Sequence, residues 1–242
     1  MAQTGHEQLD LPRGVRIAIF AKAPIAGVAK TRLAPALGAE GAARLAERLL
    51  NHAVAQAVAA GVGPVTVWAT PDTRHAAFQR LQQQHGITLA VQAEGDLGAR
   101  MLHTFEHGHA LDAYTATLLM GTDAPTLNSA VLREAAAALH EHPAVFVPAL
   151  DGGYALVGLR APHAVLFTGM RWSTPQVMDN TRARLAAAGL AHAELDAVAD
   201  IDEPVDLQHL PAGWLDELAR EPSGVGDEER EVPQLQQKGP AR

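Results

Sequence analysis

The sequence predicts an α/β protein of three layers: a mostly parallel sheet with helices on both faces. Three observations carry this reading. Short apolar runs alternate with longer helical patterns from residue 15 to about 220, the order that builds parallel sheets through crossover helices. Those runs, such as Val15-Arg-Ile-Ala-Ile-Phe20 and Leu118-Leu-Met120, are apolar almost throughout, as strands covered on both faces must be. The polar motifs fall just beyond the carboxyl ends of the runs, where open α/β sheets bind ligands.

Taken in order, residues 15–20 form the first strand, and a loop holding Pro24 and Gly27 leads to Lys30-Thr-Arg32. Leu45, Leu49, Ala53 and Ala57 recur at helical spacing over 40–60, and Gly61 stops that helix. Pro64–Thr70 is a strand, and Asp72 can cap a helix running to Gln84 before Gly86. Ile87–Gln92 is a third strand. Glu94-Gly-Asp-Leu-Gly98 then opens a helix with Met101, Leu102 and Phe105 on one face. Thr115–Met120 is a strand running into Gly121-Thr-Asp-Ala-Pro125, and Asn128 caps a helix to about Glu141. Ala144–Ala149 and Tyr154–Leu159 form a hairpin around Asp151-Gly-Gly153. Ser173-Thr-Pro-Gln176 has capping-box spacing and starts a helix ending at Gly189. A short strand at His192–Leu195, the Asp200-Ile-Asp202 segment and one or two short helices complete a single domain over 15–220. Residues 1–14 read as a disordered lead and residues 221–242, rich in Pro, Gly and charge, as a disordered tail.

Composition narrows the function. The chain of 242 residues has a net charge of −8 and a pI near 5.8, which argues against nucleic-acid or anionic-membrane partners that need a broad basic surface. There is no cysteine, which removes disulfides, thiolate metal sites and cysteine nucleophiles. The N-terminal residues lack an apolar signal region, and no apolar run is long enough to span a bilayer. A cytoplasmic location is the expectation. Neither a Gly-x-Ser-x-Gly elbow nor an ordinary P-loop is present, because no glycine precedes Lys30-Thr31.

An anionic ligand would therefore be held by a local cluster. Lys22, Lys30 and Arg32 sit in the small-residue loop after the first strand. Backbone N–H groups and fixed positive charge can converge there on a polyphosphate, although the same cations could be solvated loop charges. Asp123, closing an apolar strand, is either a hard-cation ligand or a helix cap. Asp202 carries the same two readings. Mg²⁺ or Mn²⁺ typically takes one or two carboxylates plus substrate phosphates and water, so the pair would suffice. Asp151 either makes turn chemistry or faces an acceptor, and Trp172-Ser-Thr174 is either a core aromatic with a helix cap or a ligand contact.

Together, Phe20-Ala-Lys-Ala-Pro24, Gly27, Lys30-Thr-Arg-Leu33, Gly95-Asp-Leu-Gly98 with Arg100-Met101, Gly121-Thr-Asp-Ala-Pro125, Asp151-Gly-Gly-Tyr154, Trp172-Ser-Thr174 and Asp200-Ile-Asp202 resemble a bacterial family. Its members are glycosyltransferase-A-like candidate transferases of radical-SAM or selenium-associated gene neighbourhoods or of arsenosugar biosynthesis. The resemblance covers roughly residues 15–215. Lys-Thr-Arg-Leu also looks like 2-phospho-lactate guanylyltransferases and, more distantly, molybdenum-cofactor nucleotidyltransferases. The resemblance implies the Rossmann-like nucleotide-diphospho-sugar transferase fold, a nucleotide substrate and Mg²⁺ or Mn²⁺. Thr122 precedes a single Asp where many glycosyltransferases have Asp-x-Asp, and Ala124 stands where the family usually has cysteine.

On this basis Ala21, Lys22, Pro24, Gly27, Lys30, Arg32, Gly95, Asp96 and Gly98 are the expected nucleotide-binding residues. Lys30, Arg32 and Asp123 are the expected catalytic residues, and Asp123 and Asp202 the metal ligands. Asp151, Gly152, Gly153, Trp172 and Ser173 are expected to meet a small-molecule acceptor. The cation-rich loop suits nucleotidyl transfer from an NTP to a small phosphorylated acceptor, with pyrophosphate leaving. Glycosyl transfer from a nucleotide-diphospho-sugar is the alternative, and a non-catalytic nucleotide-binding regulator the second.

Overall fold

The computed structural model describes residues 14–110 and 116–220. Apart from Gly14, the expected lead and tail lie outside the described residues. The chain runs β1 (Val15–Lys22), a 3₁₀ turn (Thr31–Leu33), α1 (Ala34–Ala60), β2 (Val65–Thr70), α2 (Ala76–His85), β3 (Thr88–Val91), α3 (Leu97–His109) and β4 (Ala116–Met120). It continues with α4 (Ser129–Glu141), β5 (Ala144–Pro148), β6 (Tyr154–Leu159), α5 (Ala164–Phe167), α6 (Val177–Ala187), β7 (His192–Glu194), a second 3₁₀ turn (Pro204–His209) and α7 (Trp214–Arg220).

The seven strands form one sheet in the order β3-β2-β1-β4-β6-β5-β7. Only β6 is reversed: it pairs antiparallel with β4 and β5, while every other pairing is parallel. The hairpin at Asp151-Gly-Gly153 inserts its return strand between β4 and β5, so both sides of the turn reach the edge where β4 ends.

Side-chain alternation along each strand sorts the core into two layers. Ile17, Ile19 and Leu118 point to one face, where Leu50, Val54, Phe78, Leu132 and Leu139 of α1, α2 and α4 cover them. Ala18, Leu119, Phe146 and Val157 point to the other, against Met101, Phe105, Leu166, Phe167, Met178 and Leu185 of α3, α5 and α6. A third cluster matters for the site. Leu33, Leu45 and Leu49 enclose Ile201, which has 0% exposure, together with Leu218 of α7. Burying Ile201 fixes the two aspartates on either side of it.

Several boundaries differ from expectation. The first helix starts earlier, at Ala34, because Gly38 (φ 73, ψ 168) joins two helical pieces across a kink. His75, not Asp72, caps α2 by accepting from the Ala77 N–H, while Asp72 is held by Arg74. The capping box expected at Ser173 does not form: Ser173 sits at φ 58 and the helix begins at Val177. The single turn α5 was not expected, since four residues carry no periodicity to read.

Candidate functional site

The loop after β1 is tightened by N–H donation from Val28 and Ala29 to the Ile25 carbonyl, with Gly27 at φ 73, and Lys22 Nζ donates to Val28 O (2.9 Å). The loop delivers Lys30 in the left-handed region (φ 48, ψ 42). This conformation is costly for a residue with a Cβ, and it turns the side chain inward to 8% exposure. Lys30 Nζ lies 2.8 Å from Asp123 Oδ1 and 3.8 Å from Asp202 Oδ1, and donates to Ile201 O at 2.5 Å. The Ile201 N–H donates to Asp123 O (2.9 Å). Three segments distant in sequence thus meet at one ammonium group. Arg32 Nη1 holds the other oxygen of Asp202 at 2.6 Å from a 64% exposed side chain. Asp206 Oδ2 accepts from the N–H groups of Asp202 and Glu203, bracing the segment from behind.

Around this node lies a cleft of about 800 Å³ at the carboxyl edge of the sheet. Of the residues expected to act, Ala21, Lys22, Lys30, Arg32, Asp123, Asp151, Ser173 and Asp202 line it. A smaller chamber of about 320 Å³ shares Asp123, Asp151, Ser173 and Asp202 with the cleft and adds Gly153, Trp172 and Asp200. Tyr154 borders both. Burial pushes its phenol far above the usual value, so it stays protonated. Burial also pushes the Asp200 carboxyl up, and the neighbouring carboxylates, Asp151 first among them, add to the shift. The chamber lining contains no Lys or Arg, so the expectation of a phosphorylated acceptor meets no cation there.

Pro24, Gly27, Gly95, Asp96, Gly98 and Gly152 line neither space. Asp96 caps α3, its Oδ1 accepting from the Ala99 N–H at 2.8 Å. A Cβ on Gly98 would lie 2.6 Å from Phe167 O and 2.9 Å from the Trp172 ring, so glycine there serves packing. Gly152, at φ 91, has no room for a Cβ beside Pro175 O. Sequence reasoning assigned no role to Thr70, Gln92, Arg100 or Tyr154, which also line the cleft. Thr70 closes β2 and Gln92 directly follows β3, so both could have been found by their position. Gln92 is fixed by donating to Trp68 O (2.9 Å) and accepting from Arg100 (3.3 Å).

Among the described residues no three His, Asp or Glu side chains gather closely enough to hold a metal ion by themselves. The Lys30-bridged pair Asp123 and Asp202 offers two carboxylates, a set that fits Mg²⁺ or Mn²⁺ only if substrate oxygens and water complete it. No helix among the described residues is long and apolar enough to cross a membrane.

A seven-stranded mixed sheet with its cleft at the carboxyl edge defines the nucleotide-diphospho-sugar transferase fold, and the solved structures agree. A candidate nucleotide-diphospho-sugar transferase from Desulfovibrio desulfuricans G20 matches 86% of this chain and 91% of its own, with 26% identity and a TM-score of 0.74. A CMP:2-keto-3-deoxy-manno-octonic acid synthetase solved with CTP covers 84% of this chain and 99% of its own (14% identity, TM-score 0.53). A nucleotidyl transferase from Methanothermobacter thermautotroptrophicus covers 86% and 98% (14% identity, TM-score 0.54). The last two show the shared fold alone. The chain belongs to the family of uncharacterized proteins conserved in bacteria, DUF2064, which matches residues 53–174. No curated protein matches it.

Proposed function

We propose that the protein is a metal-dependent transferase that moves a group from a nucleotide-activated donor to a small acceptor in this cleft. The observation carrying the reading is the node itself. Two carboxylates from separate chain segments converge on Lys30, with Lys22 and Arg32 beside them in the cleft lining. Asp123 and Asp202 would hold the divalent cation, whose chemistry when bound is to neutralise donor phosphates and stabilise the leaving group. Lys22 and Arg32 would bind the outer phosphates, and the buried Ile201 positions both aspartates.

The geometry favours glycosyl transfer. In that reaction an acceptor oxygen bonds to the sugar carbon, the carbon–phosphate oxygen bond breaks, a nucleoside diphosphate leaves and the acceptor proton goes to solvent or a carboxylate. The Lys30 charge is already matched by Asp123, so fewer cations are free for a triphosphate than the sequence implied. The relative at 26% identity is itself a candidate nucleotide-diphospho-sugar transferase, which supports the same choice. Nucleotidyl transfer remains the second reading, because Lys22, Arg32 and Arg100 all line the cleft. Incubating the protein and Mn²⁺ with nucleotide sugars or NTPs against an acceptor panel tests both. Release of nucleoside diphosphate from a sugar donor supports glycosyl transfer, release of pyrophosphate from an NTP supports the alternative, and turnover of neither refutes an enzyme.

A further inference from the structure

We propose that the smaller chamber receives the acceptor, and that this acceptor is a polyol or amino-polyol carrying no phosphate or carboxylate. The inference rests on the transferase reading and adds the substrate class. Four carboxylates, Asp123, Asp151, Asp200 and Asp202, line the chamber, and no Lys, Arg or His does. The four are not equivalent. Asp123 and Asp202 are matched by Lys30 and Arg32. Asp151 and Asp200 have no ion-pair partner among the described residues. Asp151 Oδ1 accepts from the Gly153 N–H at 2.8 Å, which leaves Oδ2 for a ligand.

Two aromatic side chains share the chamber lining with the carboxylates. Tyr154 and Trp172 meet edge to face at 6.4 Å, and among the described residues the phenol hydroxyl has only the Met101 thioether, at 4.0 Å, as a partner. Aromatic rings and carboxylates in one lining suit the C–H surfaces, hydroxyls and ammonium groups of a polyol or amino sugar. An anion placed here would meet the unmatched negative charge of Asp151, and like-charge juxtaposition of this kind excludes partners. The two adjoining spaces share Asp123, Asp151 and Asp202, but the cleft adds Lys22, Lys30, Arg32 and Arg100, whereas the chamber adds Asp200 and no cation.

Matched probe pairs test this: glucose and glucose 6-phosphate, glucosamine and glucosamine 6-phosphate, glycerol and glycerol 3-phosphate. Binding to the full chain is read by saturation-transfer NMR, with and without MgCl₂ and each nucleoside diphosphate. The unphosphorylated member of at least one pair should bind ~10-fold or more tightly than its phosphate ester. Asp151→Lys should narrow or reverse that preference. Asp151→Asn keeps an oxygen for the Gly153 N–H, so it should shift the preference in the same direction while the turn stays intact. Equal or tighter binding of the phosphate esters overturns the proposal. So does binding of neither member when calorimetry shows the Mg–nucleotide bound. Failure of every nucleotide to bind, with the preference among probes intact, sinks the donor reading and leaves the chamber's selectivity standing.

Discussion

Lys30 Nζ lies 2.8 Å from Asp123 Oδ1, joining the loop after β1 to the end of β4 through a side chain that is 8% exposed. The ammonium is the counter-ion of the two carboxylates that, on the proposed reading, would hold a divalent cation. Lys30→Met keeps the stem and removes the charge, leaving Asp123 and Asp202 to repel. Asp123 is 48% exposed, so solvent screens part of the loss, and about 1–2 kcal/mol is expected. Urea unfolding with and without MnCl₂ measures it. Mn²⁺ should restore more stability to the variant than it adds to the wild type. Equal gains would mean that metal and lysine do not share the site.

Asp123→Asn removes one of two carboxylates and retains an oxygen for the Lys30 and Thr122 contacts. Metal-dependent nucleotide binding should be lost, with the melting temperature within a few degrees of wild type. Calorimetry with a nucleoside diphosphate, with and without Mn²⁺, reads the difference. Binding that stays metal-dependent would leave Asp123 a structural residue only.

Gly98→Val separates packing from recognition. Its Cβ would approach Phe167 O and the Trp172 ring, neither of which can give freely. Overpacking of this kind costs about 1–3 kcal/mol. The expectation is lower stability with nucleotide affinity unchanged. Weaker nucleotide binding at full stability would return Gly98 to the nucleotide-binding residues.

What could be read from the sequence follows from how local each signal is. The strands announced themselves because burial on both faces makes them continuously apolar, and Asp123 stood out because it ends one of them. The hairpin was legible in Asp151-Gly-Gly153, but not the insertion of β6 between β4 and β5, which depends on pairing across the sheet. Lys30 was legible as a loop cation. Its partners were not, because Asp123 and Ile201 reach it only after Ile201 is buried against α1 and α7. The Gly95–Gly98 segment was read as a nucleotide contact, yet in the fold it caps α3 and packs under Trp172. Small-residue turns serve either purpose, and spacing alone does not separate them.

The edge strand gives a pH prediction. Arg182 holds Glu194 of β7 through Nε (2.9 Å) and Nη2 (2.7 Å), tying it to α6. The Arg182 guanidinium lowers the Glu194 carboxyl below its usual value despite partial burial. A carboxyl lowered in the folded state contributes stability that is present above its unfolded value and is lost as pH falls through the folded one. The window lies below about pH 4. Glu194→Gln should cost about 0.5–1 kcal/mol at pH 7, because exposure screens the pair. The gap to wild type should close as pH falls through that window. A constant gap from pH 7 to pH 2 would show that the carboxyl charge is not the source.

Arg32 and Lys30 should differ in what they do to nucleotide selectivity. Lys30 is inward and bonded to Asp123 and Ile201, whereas Arg32 is 64% exposed and borders the cleft beside Asp202. Only Arg32 can turn to an outer phosphate without leaving a nearly buried ion pair. A charge-assisted phosphate contact is worth about 1.5–3 kcal/mol, or roughly 10- to 150-fold. Exposure and the competing Asp202 pairing should hold the loss to about 3- to 30-fold at low salt. Arg32→Ala should therefore narrow the affinity gap between nucleoside diphosphate and monophosphate. Lys30→Ala should leave that gap unchanged, because its ammonium is turned to Asp123 and Ile201. Arg133→Ala, on α4, should change neither affinity. Calorimetry at one fixed salt concentration, with Mn²⁺ saturating, gives all the affinities. If Lys30→Ala selectively weakens diphosphate binding, the ammonium leaves Asp123 when nucleotide arrives and reaches the phosphates itself. That outcome would restore a full cation set for a triphosphate and shift the preferred reaction to nucleotidyl transfer.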